Sequence, residues 1–464
     1  MELTYELFKH LNATYPPKEL RVIDITLRMF TQPKLQLDKT YLESHLQYLT
    51  EYKEQVLATC GVTKDILMSN NKFALALQEL GVEPPLKISA RTGKEAFAFG
   101  KTDDGFKVLL DHEDERVQVL ASARLGTKST IEETGTQRLI DISARGLLPV
   151  PISYYAARTG RFGGADKINL QNLPKRGPHG NKIRRAIRPP DGYVLIDSDS
   201  SQIEARTVAW LAGEDWLLEA FAAKDDVYKR MASSIYGVPV EEVTKDQRFI
   251  GKTTVLGCGY GMGATKFRDQ LRMAFGVSIS EAEASTAVTL YRQQNANIVA
   301  LWKAASMILP YLARQDYVEP FGRPGVIDLV PSEQGILLPN GMMIRYPNLR
   351  CKTTNGNTEY WYTPDANPYN KRKPVPNRIY GGKIVENVVQ ALARIVVTDQ
   401  MVKISKRYQV VLTVHDALAI VVPEKEAQEA KQFMKEAMSW VPRWAEGLPV
   451  DCEVGMGYNY ADTK

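Results

Sequence analysis

The sequence predicts an α+β fold, and three observations predict it. Long stretches carry helical spacing of apolar residues, at 38 to 80, 113 to 145 and 215 to 315. A separate block, 317 to 378, reads as β and turn-rich, and 410 to 422 is two apolar runs around His415-Asp416. Between them lies DGYVLIDSDSSQIEARTVAWLAGE, Asp191 to Glu214, where a short apolar strand meets a helix. The chain is 24% charged and 44% hydrophobic, an ordinary globular balance with length for two or three subdomains. The sequence shows no run of 18 or more apolar residues and no basic-then-apolar leader, so neither a membrane span nor a signal peptide is expected. Cys60, Cys258, Cys351 and Cys452 are far apart and form no zinc spacing, which points to reduced thiols in a cytosol.

Taken in order, VIDITLRMF near the start has helical spacing between Pro16-Pro17 and Pro33. Two helices follow, LDKTYLESHLQYLTEYKEQVLATCG and KDILMSNNKFALALQELG, with Gly61 and Gly81 as stops. Residues 82 to 107, with Pro84-Pro85 and scattered Gly, read as loop. Helices resume at VQVLASARLG and TQRLIDISARG. Residues 149 to 176 are polar and loop-rich, and they lead into a basic segment holding Lys175, Arg176, Lys182, Arg184, Arg185 and Arg188. A second basic cluster is Lys371, Arg372, Lys373 and Arg378. Net charge is only +5, but a basic segment abutting carboxylates suits a phosphate backbone beside a metal centre.

At the central junction, Tyr193 to Ile196 form the strand, Asp197 to Ser200 end it, and Ser201 to Ala212 read as a helix. A carboxylate at such a junction is well placed to hold a divalent metal. Asp and Ser are also ordinary turn residues, and Ser201 with Glu204 fits a Ser-x-x-Glu capping box. Further on, Arg248, Lys252, Leu256 and Tyr260 recur every four residues, a drifting stripe on a helix. Two cations followed by an apolar and an aromatic residue suit a nucleoside triphosphate, although a plain amphipathic helix has the same spacing. Asn340-Gly341 is a hairpin turn signal, and Glu386, Gln390 and Arg394 share one face of a long helix. A hairpin over 410 to 422 would carry Asp416 at its tip.

Motif groups spread along the chain resemble the A-family DNA polymerases, the bacterial polymerase I and phage replicase family. DSDSSQIEAR resembles the first catalytic motif, matched by Asp199, Ser201, Gln202, Ile203, Glu204 and Arg206. Upstream, Thr159-Gly160-Arg161 and Asn169-Leu170-Gln171-Asn172-Leu173-Pro174 resemble a family segment whose donors test base-pair shape in the minor groove. Arg248, Lys252, Tyr260 and Gly261 match the fingers motif. Tyr380, Gly381, Gly382, Lys383, Glu386, Asn387, Gln390 and Ala391 match a phage-type pattern, and Val414-His415-Asp416 matches the third catalytic motif. Three positions depart. Leu256 stands where bacterial members have Phe or Tyr, Tyr228 where many have a triphosphate-binding His, and Ala417 where the third motif has Glu.

The resemblance implies a right-hand polymerase fold, with an antiparallel-sheet palm and mostly helical thumb and fingers. It divides the chain into a lead-in to the palm (1–35), thumb (36–130), first part of the palm (131–214), fingers (215–318, with the motif helix at 246–263) and second part of the palm with a β-rich insert (319–464). It implies template-directed addition of dNTPs to a primer 3′ end with two Mg²⁺ ions, which Mn²⁺ can replace. By resemblance Asp199, Asp416 and the Ser200 carbonyl hold the metal, and Lys252 is catalytic with the two Asp. Arg248, Lys252, Leu256, Tyr260, Glu204, Gln202, Tyr228 and Ser201 face the dNTP. Arg161, Asn169, Gln171, Asn172, Arg176, Lys128, Lys383, Gln390 and His415 face the primer-template DNA. Because the resemblance begins by Glu19, no proofreading nuclease is expected in this chain. A monomer in the cytoplasm, of a host cell if the source is viral, is expected. A separate exonuclease, helicase or processivity factor is compatible with it. Two other classes fit the same architecture: a catalytically impaired template-primer binding module, and a single-subunit RNA polymerase.

Overall fold

The computed structural model describes residues 2–89, 93–101, 103–128, 130–173, 180–365 and 374–463. They form two compact units: one of 1–35, 149–173 and 189–464, the other of 36–148 and 174–188.

In the first unit, α1 (Glu2–Asn12) and α2 (Pro17–Thr31) come first. The second unit then holds β1 (Gln36–Leu37), α3 (Lys39–Cys60), α4 (Lys64–Met68), α5 (Asn70–Glu79), β2 (Leu86–Ile88), β3 (Glu95–Phe97), α6 (Asp104–Leu110), α7 (Glu115–Lys128) and α8 (Ile131–Ser143). The chain forms β4 (Ile152–Ser153) and β5 (Gly163–Gly164) in the first unit, then α9 (Lys182–Ala186) and β6 (Ile187–Arg188) in the second. Everything afterwards belongs to the first unit. It begins with β7 (Tyr193–Ser200) and α10 (Ile203–Ala212), followed by the helices α11 (Asp215–Ala222), α12 (Val227–Tyr236), α13 (Lys245–Cys258), α14 (Ala264–Phe275), α15 (Glu281–Gln294), α16 (Ala296–Met307) and α17 (Leu309–Arg314). Two small antiparallel sheets come next: β8 (Asp328–Val330), β9 (Gly335–Leu337) and β10 (Met343–Arg345), then β11 (Arg350–Thr354), β12 (Asn357–Tyr362) and β13 (Asn377–Ile379). The chain ends with α18 (Gly381–Ile404), β14 (Val410–Val414), β15 (Ala417–Pro423), α19 (Ala427–Met438) and β16 (Cys452–Gly457). This is an α+β architecture, mostly helical with small antiparallel sheets.

The sheet that matters for function has the order β14-β15-β7-β16, antiparallel throughout. Side chains alternate across it. Cys452 pairs with Ser200 and faces α19, where its thiol donates to the Lys435 carbonyl at 3.7 Å. The opposite face carries Asp197 and Asp199 of β7 and Glu453, Gly455 and Gly457 of β16. There the C-terminal tail packs so close that a Cβ on Gly455 would sit 1.6 Å from the Thr463 carbonyl. The long helix α18 is apolar on nearly every side and correspondingly buried, with α2, α10, α16 and α19 around it. The stretch Ala296–Arg314 has the length and hydropathy (1.3) of a membrane span. Here it is α16 and α17, with Ile298, Leu301, Trp302, Leu309 and Leu312 buried in the core. The helices α12 and α13 lie backbone to backbone, since a Cβ on Gly251 would stand 2.2 Å from the Tyr228 carbonyl oxygen.

Several local expectations are corrected. The 82–107 stretch is not all loop: β2 and β3 pair as a hairpin, and α6 begins at Asp104. Phe97 and Phe99 stack there at 5.0 Å, and Phe73, Phe99 and Phe106 centre the second unit's core. The helix α8, expected with the 131–214 segment, packs instead on α3, with His45 Nε2 3.3 Å from Glu132 Oε1. The strand at 193 does not stop at Asp197; it continues to Ser200, so Asp199 lies inside it. The Ser201–Glu204 capping box does not form. Gln202, in a left-handed conformation (φ 54°), is the N-cap residue of α10 and makes no side-chain cap bond. In the basic segment before Asp199, Arg184 is buried and so is not a surface cation, while Arg188 stays exposed and pairs with Asp38 at 3.2 Å. Lys175, Arg176, Lys371, Arg372 and Lys373 lie outside the described residues.

Candidate active site

Asp199 sits on the central strand β7, directly opposite Ala417 of β15 on one side and Glu453 of β16 on the other. The two residues His415-Asp416 turn the β14–β15 hairpin, with His415 held at φ 54°. The Asp416 carbonyl accepts the Ser200 N–H at 3.1 Å, which fixes the hairpin tip to the end of β7. Both aspartates are half-buried. Among the described residues no group of three or more His, Cys, Asp or Glu side chains converges as a metal cage.

One small cavity collects predicted residues from four separate segments: Arg161 with Gln171, Glu204, Gln390, and His415 with Asp416. Gln171 is buried and clamps the hairpin turn. Its Nε2 donates to the Thr413 carbonyl at 2.6 Å, and its Oε1 accepts the His415 N–H at 2.8 Å. Its side chain is therefore committed to positioning the turn. Asn169 uses Oδ1 to accept the Gln171 N–H at 3.2 Å, the loop-capping alternative open to such a residue, while Asn172 is exposed.

Glu204 stands between opposing charges. Arg161 lies 3.4 Å from its Oε1, and the Tyr260 hydroxyl donates to its Oε2 at 3.5 Å. Burial, aided by the carboxylates of Asp416 and Glu386, raises its carboxyl above the ordinary range despite Arg161. Burial, with Glu204 beside it, also pushes the Tyr260 phenol well above 10. Tyr260 follows the end of α13 at Cys258 and so leaves the helical stripe on which it was expected. It is fixed instead by its neighbours. The Gly259 carbonyl accepts the Trp302 indole N–H at 2.8 Å, and a Cβ on Gly382 would reach within 2.4 Å of the Tyr260 carbonyl oxygen.

On α13, Arg248 donates through Nε to Asp226 Oδ2 at 2.6 Å. The Arg248 guanidinium and the Lys252 ammonium lie 5.4 and 5.9 Å from the centre of the Tyr228 ring, a shared cation–π floor. Tyr228 is buried, which raises its phenol, and its hydroxyl bonds the Gln202 side chain. Leu256 is 41% exposed, on the open side of the helix. On α18, Lys383 donates to Glu386 at 2.7 Å, and Gln390 reaches Glu386 and Thr159, both at 3.5 Å. Lys128 belongs to the other unit, where its ammonium donates to Asn70 Oδ1 at 3.1 Å and burial lowers its pKa.

Three acidic residues in this region were missed by sequence reasoning: Asp226, Glu386 as a neighbour of Glu204, and Glu453. The alternation Cys452, Val454, Met456 signals a strand, but nothing in it names β7 as the partner.

With that geometry established, comparison with known proteins is direct. The sequence profile described as DNA polymerase family A matches residues 39–323. The DNA polymerase of Bacillus phage SP02 is 31% identical over 355 residues, covering 68% of this chain and 52% of that protein. DNA polymerase I of Pseudomonas aeruginosa is 32% identical over 287 residues, 59% of this chain and 30% of that one. The thermostable DNA polymerase I of Thermus aquaticus is 28% identical over 325 residues, 69% and 33%. The chain thus spans half the length of the phage relative and a third or less of the bacterial ones. Among solved structures, the POL domain of Pol1 from M. smegmatis, in complex with DNA primer-template and dNTP, superposes with a TM-score of 0.70. That match covers 96% of this chain and 70% of that one at 21% identity, so the likeness is one of fold. On the extent of the profile match, the chain belongs to DNA polymerase family A.

Proposed function

We propose that this chain is a template-directed DNA polymerase of phage type, extending a primer 3′ end with dNTPs. The observation that carries the reading is the cavity in which Arg161, Gln171, Glu204, Gln390, His415 and Asp416 meet. Four segments far apart in sequence converge there, beside the strand that bears Asp199. The phage relative supports the phage-type reading, and a role in phage genome replication is part of the same proposal. The first unit supplies palm and fingers in this reading, and the second the thumb.

The residues fit Mg²⁺, with Mn²⁺ as a substitute. Asp199 on β7 and Asp416 in the β14–β15 turn offer hard oxygens, and Ser200, with the further carbonyl, follows Asp199 in the chain and bonds the Asp416 carbonyl through its N–H. A two-carboxylate set is smaller than a dedicated cage, which suits ions completed by water and substrate phosphates. When bound, the metal supplies activation of the primer hydroxyl and neutralises charge on the departing phosphates. Arg248 and Lys252 hold the triphosphate, and Lys252 carries a proton for the leaving pyrophosphate. Tyr260 packs beside the nascent pair, Glu204 closes the space beside the sugar's C2′, and Tyr228 and Gln202 floor the phosphate side. His415 meets the primer terminus. Arg161, Lys383 and Gln390 meet the duplex, as do Asn172 and, from the thumb, Lys128. The enzyme acts as a cytoplasmic monomer.

The test is primer extension by the purified chain with dNTPs, with rNTPs and with no nucleotide. Extension with dNTPs that is lost in Asp199→Asn and Asp416→Asn, with primer-template binding retained, is the expected result. Near-normal extension by either variant refutes the assignment, and equal use of rNTPs favours an RNA polymerase.

A further inference from the structure

Arg248 has a carboxylate partner that sequence matching did not anticipate. Asp226 is the N-cap residue of α12, and its two oxygens have separate tasks. Oδ1 accepts the N–H groups of Tyr228 and Lys229, at 3.2 and 3.1 Å, and so caps the helix. Oδ2 accepts Nε–H of Arg248 at 2.6 Å. Among the described residues, the two terminal amino groups of Arg248 have no hydrogen-bond partner, and the side chain is 40% exposed. A guanidinium has five donors in a fixed fork. When one edge is held through Nε, the other is left as a preset pair of donors for an anion. The floor is set as well: the Tyr228 ring lies under both Arg248 and Lys252, and Gly251 keeps α12 and α13 in backbone contact.

We infer that Asp226 is a positioning residue for the incoming nucleotide: it holds Arg248 by Nε so that the terminal amino groups face the triphosphate, and it joins that arginine to the helix carrying Tyr228. This inference rests on the reading of Arg248 as a triphosphate ligand. Burial opposes the charged form of Asp226, but Arg248 and the capped N–H groups outweigh it and lower its carboxyl below the ordinary range. The carboxylate is therefore ionised at neutral pH, as an acceptor for Arg248 requires. An unoriented arginine must order itself each time a nucleotide binds, and the loss of that ordering appears in the dNTP KM more than in kcat.

The experiment is single-nucleotide incorporation by the intact chain on a primer-template, with dNTP KM and kcat measured for Asp226→Asn, Asp226→Ser, Arg248→Ala and Asp226→Asn/Arg248→Ala. Asn and Ser both cap helices well, so each keeps α12 capped while removing the acceptor for Nε. The pair is partly exposed, so the low end of the range for a charged hydrogen bond applies: about a tenfold rise in KM. The expected result is that rise in both Asp226 variants with an unchanged melting temperature, and no additional rise from Asp226→Asn once Arg248 is alanine. An unchanged or lower KM in the Asp226 variants, or effects that add in the double variant, overturns the inference while a raised KM in Arg248→Ala keeps the triphosphate reading. An unchanged KM in Arg248→Ala removes both.

Discussion

Replacing Glu204 by alanine tests the assignment of this residue as the barrier to ribonucleotides. The side chain is 27% exposed, and its two polar contacts are long: 3.4 Å to Arg161 and 3.5 Å to the Tyr260 hydroxyl. Contacts of that length in a partly wet site are each worth less than about 1 kcal/mol. Its ionised form is also opposed by burial and by two carboxylates, so the fold loses little when it is removed. Selectivity is a different matter. A wall that excludes one small group from a pocket supplies about 1–3 kcal/mol, or roughly 10- to 200-fold in kcat/KM. Glu204→Ala is therefore expected to raise the rNTP/dNTP ratio of kcat/KM within that range, with a small change in melting temperature. Glu204→Gln preserves the volume and should retain most of the discrimination if exclusion is steric. The assay is single-nucleotide incorporation with matched dNTP and rNTP, alongside thermal melts. A ratio unchanged in Glu204→Ala, with a marked loss of thermal stability, would refute the gate and leave Glu204 as a structural partner of Arg161 and Tyr260.

Asp199→Asn and Asp416→Asn are each expected to cut extension by several orders of magnitude, since an amide holds a hard dication far less well than a carboxylate; gel extension with a parallel binding assay checks both halves. A mismatched 3′ primer incubated with Mg²⁺ and no dNTP is expected to keep its length in this chain, and shortening that persists in purified Asp199→Asn protein would reveal a nuclease site. Leu256 is exposed, so Leu256→Tyr should fold normally and raise dideoxynucleotide use relative to dNTP, while Leu256→Phe should change dNTP incorporation more than that ratio; lost stability with unchanged selectivity would sink the nucleotide contact. The buried pair Glu19–Arg394 predicts a pH dependence. Burial raises the Glu19 carboxyl, but Arg394, Tyr154 and Asn340 outweigh it and lower it below 4.5, so its stabilisation is present above pH 4.5 and lost as pH falls through the depressed value. Glu19→Gln should flatten that acid limb in denaturation measured against pH and cost about 3–5 kcal/mol at neutral pH, because Arg394 stays buried with its partner charge gone.

What the sequence made legible here is what short-range pattern encodes. The apolar run at 193–196 located β7, the two apolar runs around His415-Asp416 located the β14–β15 hairpin, and Asn340-Gly341 lies in the turn between β9 and β10. The failures share one cause, which is that the deciding partner is distant. Asp197 to Ser200 look like the end of a strand because they are polar, yet β15 and β16 pair with them from both sides and carry the strand on. The capping box at Ser201 and Glu204 is locally plausible, but Gln202 adopts a left-handed conformation and Glu204 turns to Arg161 and Tyr260, 43 and 56 positions away in the chain. The β2–β3 hairpin escaped because three-residue strands leave no periodicity to read.

Sequence spacing marks the cations Arg248 and Lys252 more readily than the groups that aim them. Arg248 and Lys252 are four residues apart on one helix, so spacing alone pairs them. Asp226 is 22 residues away on another helix, and its short side chain reaches Arg248 only because Gly251 lets the two backbones touch. Any side chain at 251 would meet the Tyr228 carbonyl, so the cost of substitution there falls on the geometry of Arg248 and Tyr228 together. Gln171 makes the parallel case at the proposed metal site, where an amide from the 149–173 loop holds the turn that carries Asp416. In both places the side chain or turn is set by a buried or half-buried polar partner whose own sequence context reads as a cap or a loop. A residue of that kind is recognised by which atoms it leaves unsatisfied when removed, and the double variant of Asp226 and Arg248 measures that coupling directly.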